Sequence, residues 1–354
     1  MSVTLAPPLD LAAIISRADY WRRSPASAGG AAGHKEWSYF CLLGHELQMV
    51  VAFSIMDSSA EGSAAPAVEI PRVAILAHAP DRWTAIVESC PSSEPSLTAG
   101  RIDARFGGQS LAFTRGAYRI DLASDAPRMR ASLLLRPVAR PGLTRSIPLG
   151  GVTPMQWFVV PRLEADGDVW LGQHHYRLDR SPAYHDHNWG SFAWGGDFAW
   201  EWGIVLSAGS PAWSLIYYRI TDRGRHHVVS QGLLVWRGDR HCRSFRDGAL
   251  DVRSRGRFRT AGCTRVPGIM RAALNGEAAD LPAHLEVSAH AGSDRLELRF
   301  ELQSCAQIGV PNDGDDGVTC ISECPSVAVV DGIVGGEQVQ FTSHALIEFN
   351  RGAA

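Results

Sequence analysis

The sequence predicts an all-β fold of two antiparallel β domains preceded by one short helix. Short runs rich in β-branched and aromatic residues recur about every 10 residues, and turn signals such as Gly107-Gly108 separate them. Helical periodicity occurs in one segment only, which favours antiparallel barrels or sandwiches over βαβ units. The predicted strands are Gln48–Met56, Arg72–Ala79, Trp83–Ser89, Gly116–Leu122, Arg130–Val138, Trp213–Thr221, His226–Trp236, His284–Ser288, Arg295–Leu302 and Val339–Phe349.

The helix and one flexible segment divide the chain into three predicted parts. The helix covers Leu9–Trp21 and has Asp10 as its N-cap. Its apolar stripe consists of Leu11, Ile14, Ile15 and Ala18. The segment Arg140–Thr153 contains prolines and glycines and is predicted to be a hinge. The expected parts are a helical segment at 1–23, an N-terminal β domain at 24–153 and a C-terminal β domain at 154–354.

The composition excludes several classes of protein. A charged fraction of 20% and a net charge of -3 argue against nucleic-acid binding, and no apolar run approaches the roughly 18 residues of a membrane span. Lys35 is the only lysine, and phosphate-loop and dinucleotide fingerprints are lacking, so no cofactor is expected. Seven cysteines, an odd number, without a secretory leader predict a cytoplasmic protein with reduced thiols.

One segment combines polar and aromatic residues in a pattern that a plain β core does not require. It reads Tyr184-His185-Asp186-His187-Asn188-Trp189-Gly190, and Phe198-Ala199-Trp200-Glu201-Trp202 follows. In an extended chain alternate side chains point to opposite faces, so Asp186 shares one face with the tyrosine and the asparagine, and the histidines share the other. A carboxylate flanked by a phenol and an amide is costly to bury without a function.

This pattern resembles a known family signature. Tyr184-x-Asp186-x-Asn188-x-Gly190 followed by Phe198-x-Trp200-x-Trp202 resembles that of the carotenoid 1,2-hydratase (hydroxyneurosporene synthase) superfamily. The fuller Asp-His-Asn-Trp-Gly form is similar to its lipocalin-like relatives, which include tocopherol cyclase-like proteins and intramolecular Diels-Alderases of natural-product pathways. Upstream, 36–40 is similar to the aromatic motif that opens the first domain there. The resemblance implies two lipocalin-like antiparallel β-barrel domains with a hydrophobic pocket where they meet.

The resemblance also implies roles for individual residues. The aspartate of the hydratase motif is the expected acid and the tyrosine lies beside it, which corresponds to Asp186 and Tyr184. An upstream His-x-Trp pair corresponds to Met155-Gln156-Trp157, so the tryptophan is kept and Met155 replaces the histidine. This replacement argues against strict hydratase activity, because the histidine would activate water.

The chemistry of alkene protonation gives Asp186 the same role. Protonation generates a carbocation, so the donor must be a carboxylic acid that is still protonated near pH 7, with its pKa raised from about 3.9 by burial. Tyr184 and Asn188 are expected to hydrogen-bond this carboxyl group, and aromatic faces to stabilise the cation. Water capture then gives an alcohol, whereas capture by a second alkene or hydroxyl gives a ring. The predicted substrate contacts are Met155, Trp157, His187, Trp189, Trp194, Phe198, Trp200 and Trp202.

We therefore predict a cofactor-independent lyase or isomerase that acts on a hydrophobic isoprenoid or polyene, with peripheral membrane contact during substrate uptake and no nucleic-acid partner. Two alternatives stay open: an intramolecular Diels-Alderase or other pericyclase that polarises an acyl group, and a non-catalytic carrier of lipids or isoprenoids. No metal is expected. A site built from His174, His175, His185 and His187 is disfavoured, because adjacent histidines on a strand point to opposite faces.

Overall fold

A computed structural model of the chain describes residues 10–22, 33–57, 69–80, 82–90, 96–149, 154–259, 263–266 and 281–352. It begins with helix α1 (Leu11–Ala18). The strands of the first half are β1 (His34–Leu43), β2 (Gln48–Asp57), β3 (Glu69–Ala79), β4 (Arg82–Ser89), β5 (Ser96–Leu97), β6 (Asp103–Phe106), β7 (Gln109–Thr114), β8 (Ala117–Asp125), β9 (Arg128–Pro137), β10 (Gly142–Ile147), β11 (Met155–Leu171) and β12 (His174–Ser191).

The second half is built in the same way. Its strands are β13 (Ala199–Leu206), β14 (Trp213–Thr221), β15 (Val228–Arg237), β16 (Arg240–Arg246), β17 (Leu250–Arg255), β18 (Cys263–Val266), β19 (His284–Ala291), β20 (Asp294–Leu302), β21 (Cys305–Pro311), β22 (Val318–Val334) and β23 (Glu337–Gly352). A single 3₁₀ turn, Asp247–Ala249, precedes β17 among the described residues.

The strands form two curled sheets that correspond to two half-barrels, and the predicted all-β fold is confirmed. The first sheet has the order β4-β3-β2-β1-β12-β11-β9-β8-β7-β6-β5, with β10 paired to β11. The second has the order β16-β15-β14-β13-β23-β22-β20-β19-β17, with β21 paired to β22 and β18 to β21. All pairs are antiparallel except β18 with β21. The first sheet ends at Ser191 and the second begins at Ala199. The domain boundary expected at 153/154 lies between β10 and β11, which both belong to the first sheet.

Three apolar clusters account for the buried core of the described residues. One fills the curl of the first sheet and includes Ile15 of α1. Another fills the curl of the second sheet and includes Phe300. The remaining cluster joins side chains of both sheets, among them Tyr39 and Trp202, and therefore lies where the half-barrels meet. Successive side chains of a strand point to opposite faces, and β13 is buried along its whole length, so both of its faces are covered.

Helix α1 lies against the core of the first sheet. The Asp10 side chain accepts a hydrogen bond from the Ala13 backbone N–H over 3.1 Å, which confirms the predicted N-cap. The helix ends at Ala18, three residues before the predicted end, because Asp19 leaves the helical conformation at φ -106° and ψ 63°. Residues 1–9, with which the predicted helical segment begins, lie outside the described residues.

A buried cluster of charged side chains fixes the end of α1 to the inner face of β12. Asp19 Oδ2 lies 2.8 Å from His185 Nε2, and Asp19 Oδ1 lies 2.7 Å from His187 Nδ1. His187 Nε2 lies 3.0 Å from Glu36 Oε1, and the Tyr118 hydroxyl donates to Asp19 Oδ2 over 2.6 Å. We call these five residues the Asp19 cluster. It places the two motif histidines inside the first half-barrel.

The pKa values of the Asp19 cluster shift as expected for paired buried charges. The neighbouring histidines hold the pKa of Asp19 well below its ordinary value despite burial. Hydrogen bonds from His187 and His34 lower the pKa of Glu36 to about 2 against the effect of burial. Hydrogen bonds to both carboxylates raise the pKa of His187 to about 9, again against burial. The charged forms therefore stabilise one another.

We expect Asp19→Asn to lower the free energy of unfolding by about 3 kcal/mol, because it removes one partner of a buried ion pair and leaves the other charge uncompensated. Urea unfolding at pH 6 measures the change. Asp121→Asn is the matched control, since the Asp121 pair with Arg119 is exposed and should change stability by less than about 0.5 kcal/mol. Equal effects of the two substitutions would contradict the structural role of the cluster.

His187 should also make stability depend on pH. Its folded pKa of about 9 lies above the ordinary value of 6.5, so its contribution is complete below pH 6.5 and is lost as the pH rises through 9. Between pH 6 and pH 9.5 the free energy of unfolding of the native protein should fall by about 3 kcal/mol more than that of His187→Gln. Parallel urea titrations of both proteins test this. The same pH dependence in both would show that His187 is not the titrating group.

Candidate active site

A cavity lies between the two sheets and consists of two adjoining chambers. The first chamber has an empty volume of about 490 Å³ and contains Asp186 on its wall. The second has an empty volume of about 1170 Å³ and extends along β2, β3 and β4. The residues that line both chambers are Trp37, Tyr39, Trp200 and Glu348. The cavity is therefore built by both half-barrels together.

The register of the first sheet explains which of its side chains line the first chamber. Tyr39 of β1 lies opposite Asp186 of β12, and Trp37 lies opposite Asn188. Asn188 also lies opposite Trp157 of β11. Residues opposite each other on neighbouring strands point to the same face, so these five form one continuous wall. The alternation predicted for β12 is confirmed, since the polar face of the motif and its histidines lie on opposite sides.

The glycine that ends the motif is required by the close approach of β12 and β11. A Cβ at Gly190 would lie 2.7 Å from Met155 Cα and 3.0 Å from its backbone nitrogen. Any larger residue would push the two strands apart. This packing keeps Met155 and Trp157 beside the polar face of β12.

Three hydrogen-bond donors hold the carboxyl group of Asp186. Trp157 Nε1 donates to Oδ2 over 3.0 Å, and the Tyr184 hydroxyl donates to the same oxygen over 2.8 Å. Asn188 Nδ2 donates to Oδ1 over 2.8 Å. Oδ2 thus has both acceptor positions filled, and Oδ1 is the oxygen that can carry the acid proton. Asp186 is only 5% exposed.

Burial raises the pKa of Asp186 to about 6 from an ordinary value of 3.8, although Trp157, Tyr184, His185 and Asn188 oppose the rise by favouring the carboxylate. At pH 7 a pKa of about 6 leaves roughly a tenth of the molecules protonated. The pKa of Asp186 is therefore raised as expected, but most molecules are ionised at pH 7, contrary to the expectation of a carboxyl group that is protonated there. An apolar ligand that displaces water would raise this pKa further.

Aromatic rings surround the first chamber. The Trp202 ring centroid lies 5.5 Å from that of Tyr39 and 5.0 Å from that of Tyr184, and the Trp157 centroid lies 5.4 Å from that of Tyr218. The faces of such rings carry partial negative charge and attract a cation. The chamber thus places the carboxyl group of Asp186 beside several aromatic surfaces that attract a cation.

Two glutamates on the opposite wall were missed by the sequence analysis. Glu323 of β22 and Glu348 of β23 lie directly opposite each other and share a hydrogen bond. Burial raises the pKa of both, and repulsion by Glu348 raises that of Glu323 further. The Tyr39 hydroxyl donates to Glu323 over 3.1 Å, and Trp200 Nε1 donates to Glu348. The sequence feature that could have revealed these glutamates is a single acidic residue within an apolar strand, as in Ile347-Glu348-Phe349.

Most predicted substrate contacts lie at the cavity. Those on the first chamber are Met155, Trp157, Trp200 and Trp202, and those on the second are Trp194 and Trp200. Tyr184 is fully buried beside the first chamber, where its hydroxyl reaches Asp186. Phe198 is not among the lining residues and stacks on Trp200 with a centroid distance of 5.8 Å.

His187 and Trp189 require a correction. Both point away from the cavity, because the two-residue period of β12 turns them toward the core of the first half-barrel. His187 belongs to the Asp19 cluster, and the Arg22 guanidinium lies 3.6 Å above the Trp189 ring. The structure therefore does not bring either residue to the cavity.

Within the described ranges, no group of three or more His, Cys, Asp or Glu is placed to hold a metal ion. The four histidines considered for such a site do not come together. His185 and His187 both contact Asp19 inside the first half-barrel, whereas His174 is exposed and His175 pairs with Asp168 over 2.7 Å at the surface. In the same ranges, no helix has the length and apolar character to cross a membrane.

Comparison with known proteins finds the fold and no closer relationship. No protein-family model and no curated protein sequence matches the chain. A candidate AttH from Nitrosomonas europaea matches with a TM-score of 0.63 at 13% identity, over 92% of this chain and 98% of that one. Kievitone hydratase from Nectria haematococca matches with a TM-score of 0.56 at 14% identity, over 90% and 88%. The chain has the lipocalin-like fold of these proteins.

A further similar structure is that of CghA with Sch210972. Its TM-score is 0.52 at 12% identity, and the match covers 95% of this chain and 97% of that one. Because all three identities are below 25%, the likeness establishes the shared architecture and carries no residue role by itself.

The raised pKa of Asp186 should reduce stability as the pH rises. The unfolded chain releases this proton near pH 3.8 and the folded chain near pH 6, so the native protein loses stability between these values and regains none above. Between pH 4.5 and pH 8, the free energy of unfolding of the native protein should fall by about 2 kcal/mol relative to that of Asp186→Asn. Urea unfolding at the two pH values measures this difference. A constant difference would show that Asp186 ionises normally.

Proposed function

We propose that this protein is an enzyme that protonates a carbon–carbon double bond of a hydrophobic isoprenoid or polyene and completes the reaction by hydration or cyclisation. The observation that carries the proposal is the position of Asp186, a buried carboxyl group with a raised pKa on the wall of an aromatic cavity. A purely structural aspartate would be expected in its ionised form with its pKa lowered, as is found for Asp19.

In the first step, Asp186 gives its proton to one alkene carbon and the other alkene carbon becomes cationic. The π electrons form the new C–H bond, and the electron pair of the O–H bond stays on the carboxylate. Trp157, Tyr184 and Asn188 already point their donors at this group. Since donors bind a carboxylate more strongly than a neutral acid, they stabilise the transition state more than the ground state.

The carbocation is then stabilised by the aromatic wall. The indole rings that line the first chamber belong to Trp37, Trp157, Trp200 and Trp202. Each contributes about 0.5–2 kcal/mol when it faces the cation. Attack by water and return of its proton to Asp186 gives an alcohol. Attack by a second alkene and loss of a proton to Asp186 gives a ring, and both routes restore the acid.

The similar structures support an enzyme of this kind. Kievitone hydratase is, by its name, a hydratase, and one CghA structure was determined with Sch210972. Proteins with this fold therefore include one that is named for hydration, which supports the proposal. The resemblance of the Tyr184–Gly190 motif to the carotenoid hydratases adds the acid, which in this chain is positioned by Trp157 and has Met155 in place of the upstream histidine.

The test compares native protein with Asp186→Asn on kievitone and neurosporene, with products detected by liquid chromatography and mass spectrometry. We expect the native protein to convert one of these compounds to a hydrate or an isomer. The turnover rate of the Asn variant should be lower by a factor of about 10² or more, because an amide cannot protonate carbon. Native kcat/KM should fall about tenfold per pH unit above pH 6, since the free enzyme must be protonated.

Deuterated water distinguishes the mechanisms. A proton-initiated reaction places one deuterium on the carbon that receives the proton, whereas a pericyclic reaction incorporates none. Ligand binding and the unfolding midpoint of Asp186→Asn serve as controls for folding. An active variant with an unlabelled product would refute the acid mechanism in favour of a pericyclase, and binding without conversion by the native protein would indicate a carrier.

A further inference from the structure

One wall of the second chamber carries a row of polar side chains. Ser54 of β2, Arg72 of β3 and Ser89 of β4 lie opposite one another on adjacent strands, and all three line the chamber. The neighbouring row along the same strands consists of Ala52, Ala74 and Val87, which also line it. The polar row includes the exposed Ser89, so it lies where the chamber meets solvent.

Arg72 brings a positive charge to this wall. Asp313 is the acidic group that opposes the lowering of the Arg72 pKa, and its Oδ2 is already 2.8 Å from Lys35 Nζ and accepts the Trp194 backbone N–H over 2.8 Å. Among the described residues, no carboxylate lies within the 4.0 Å ion-pair distance of the Arg72 guanidinium. Burial lowers the pKa of Arg72, because the guanidinium is partly removed from water.

The other acidic groups of the second chamber have hydrogen-bond partners other than Arg72. Glu323 and Glu348 line it as well, share a hydrogen bond, and accept from the Tyr39 hydroxyl and from Trp200 Nε1, respectively. The chamber is otherwise lined mainly by apolar side chains, among them Val50, Met56 and Ile321. A partly desolvated guanidinium at the mouth of an apolar chamber is suited to pair with a ligand anion, and a carboxylate matches its planar donors.

We propose that the substrate is an amphipathic polyene carboxylate whose anionic end pairs with Arg72 and whose apolar chain extends to Asp186. The chain would pass the aromatic residues that line both chambers, Trp37, Tyr39 and Trp200. Three strand spacings separate Arg72 from Asn188 across β2, β1 and β12, which is about 14 Å along the sheet. A long-chain acid spans this distance and a short one does not. The position of the reacting end rests on the proposed function, whereas pairing at Arg72 does not.

The experiment measures binding of cis-parinaric acid and of its methyl ester by fluorescence titration. The two probes share the polyene chain and differ in the charge of the head group. We expect the native protein to bind the acid at least tenfold more tightly than the ester, and Arg72→Gln to reduce this ratio to about 1 by weakening acid binding alone. Arg72→Lys keeps the charge and should retain part of the preference.

Arg82→Gln serves as the matched control, because Arg82 is an exposed arginine on β4 that lines neither chamber. It should leave the ratio unchanged. Equal binding of the acid and the ester by the native protein would overturn the proposal, as would an unchanged ratio in Arg72→Gln. If that variant does not fold, the ratio in the native protein and in Arg72→Met decides the question.

The two proposals fail in distinguishable ways. Asp186→Asn should keep the preference for the acid, since Asp186 lies at the other chamber. A protein that prefers the acid through Arg72 but shows no proton-initiated turnover would leave the head-group site intact and refute the acid mechanism. A protein that shows proton-initiated turnover but no preference for the acid over the ester would support the acid mechanism and refute the head-group site at Arg72.

Discussion

The two-residue alternation of β12 is the constraint on which the rest of this structure depends. On one face, His185 and His187 bind the Asp19 carboxylate inside the first half-barrel. On the other face, Asp186 and Asn188 line a cavity that the second half-barrel closes. The motif Tyr184–Gly190 therefore anchors the strand on one face and supplies the carboxyl group of the cavity on the other. A slip of one residue in the pairing register of β12 would exchange its two faces. Asp186 would then point into the first half-barrel, and the two histidines would point into the cavity.

Asp186 and Asp19 show how burial acts differently on two similar groups. Asp19 and Asp186 are both buried carboxyl groups, but Asp19 is paired with histidines whereas the donors to Asp186 are neutral indole, phenol and amide groups. The histidine partners outweigh the desolvation of Asp19, so its pKa falls. Neutral donors do not outweigh the desolvation of Asp186, so its pKa rises. The choice of partner thus separates a structural carboxylate from one that can serve as an acid.

The sequence predicted those features that local patterns specify. The cap at Asp10, the all-β character and the two faces of β12 follow from residue spacing, and the structure confirms them. Strand pairing over long distances has no local signal, which is why the position of Tyr39 beside Asp186 could not be predicted. The paired glutamates Glu323 and Glu348 belong to strands whose register is set by the whole second sheet, so each seemed an isolated acid in an apolar run.

The concentration of indoles around the first chamber gives the protein an intrinsic optical reporter. Four of the 11 tryptophans line this chamber, namely Trp37, Trp157, Trp200 and Trp202. A ligand that enters it changes the polarity around a large share of the emitting residues at once. Emission from the unlabelled protein should therefore respond to occupancy, and a conjugated polyene bound there lies close enough to accept excitation energy from the indoles. Screening of candidate ligands requires neither a dye nor a coupled assay.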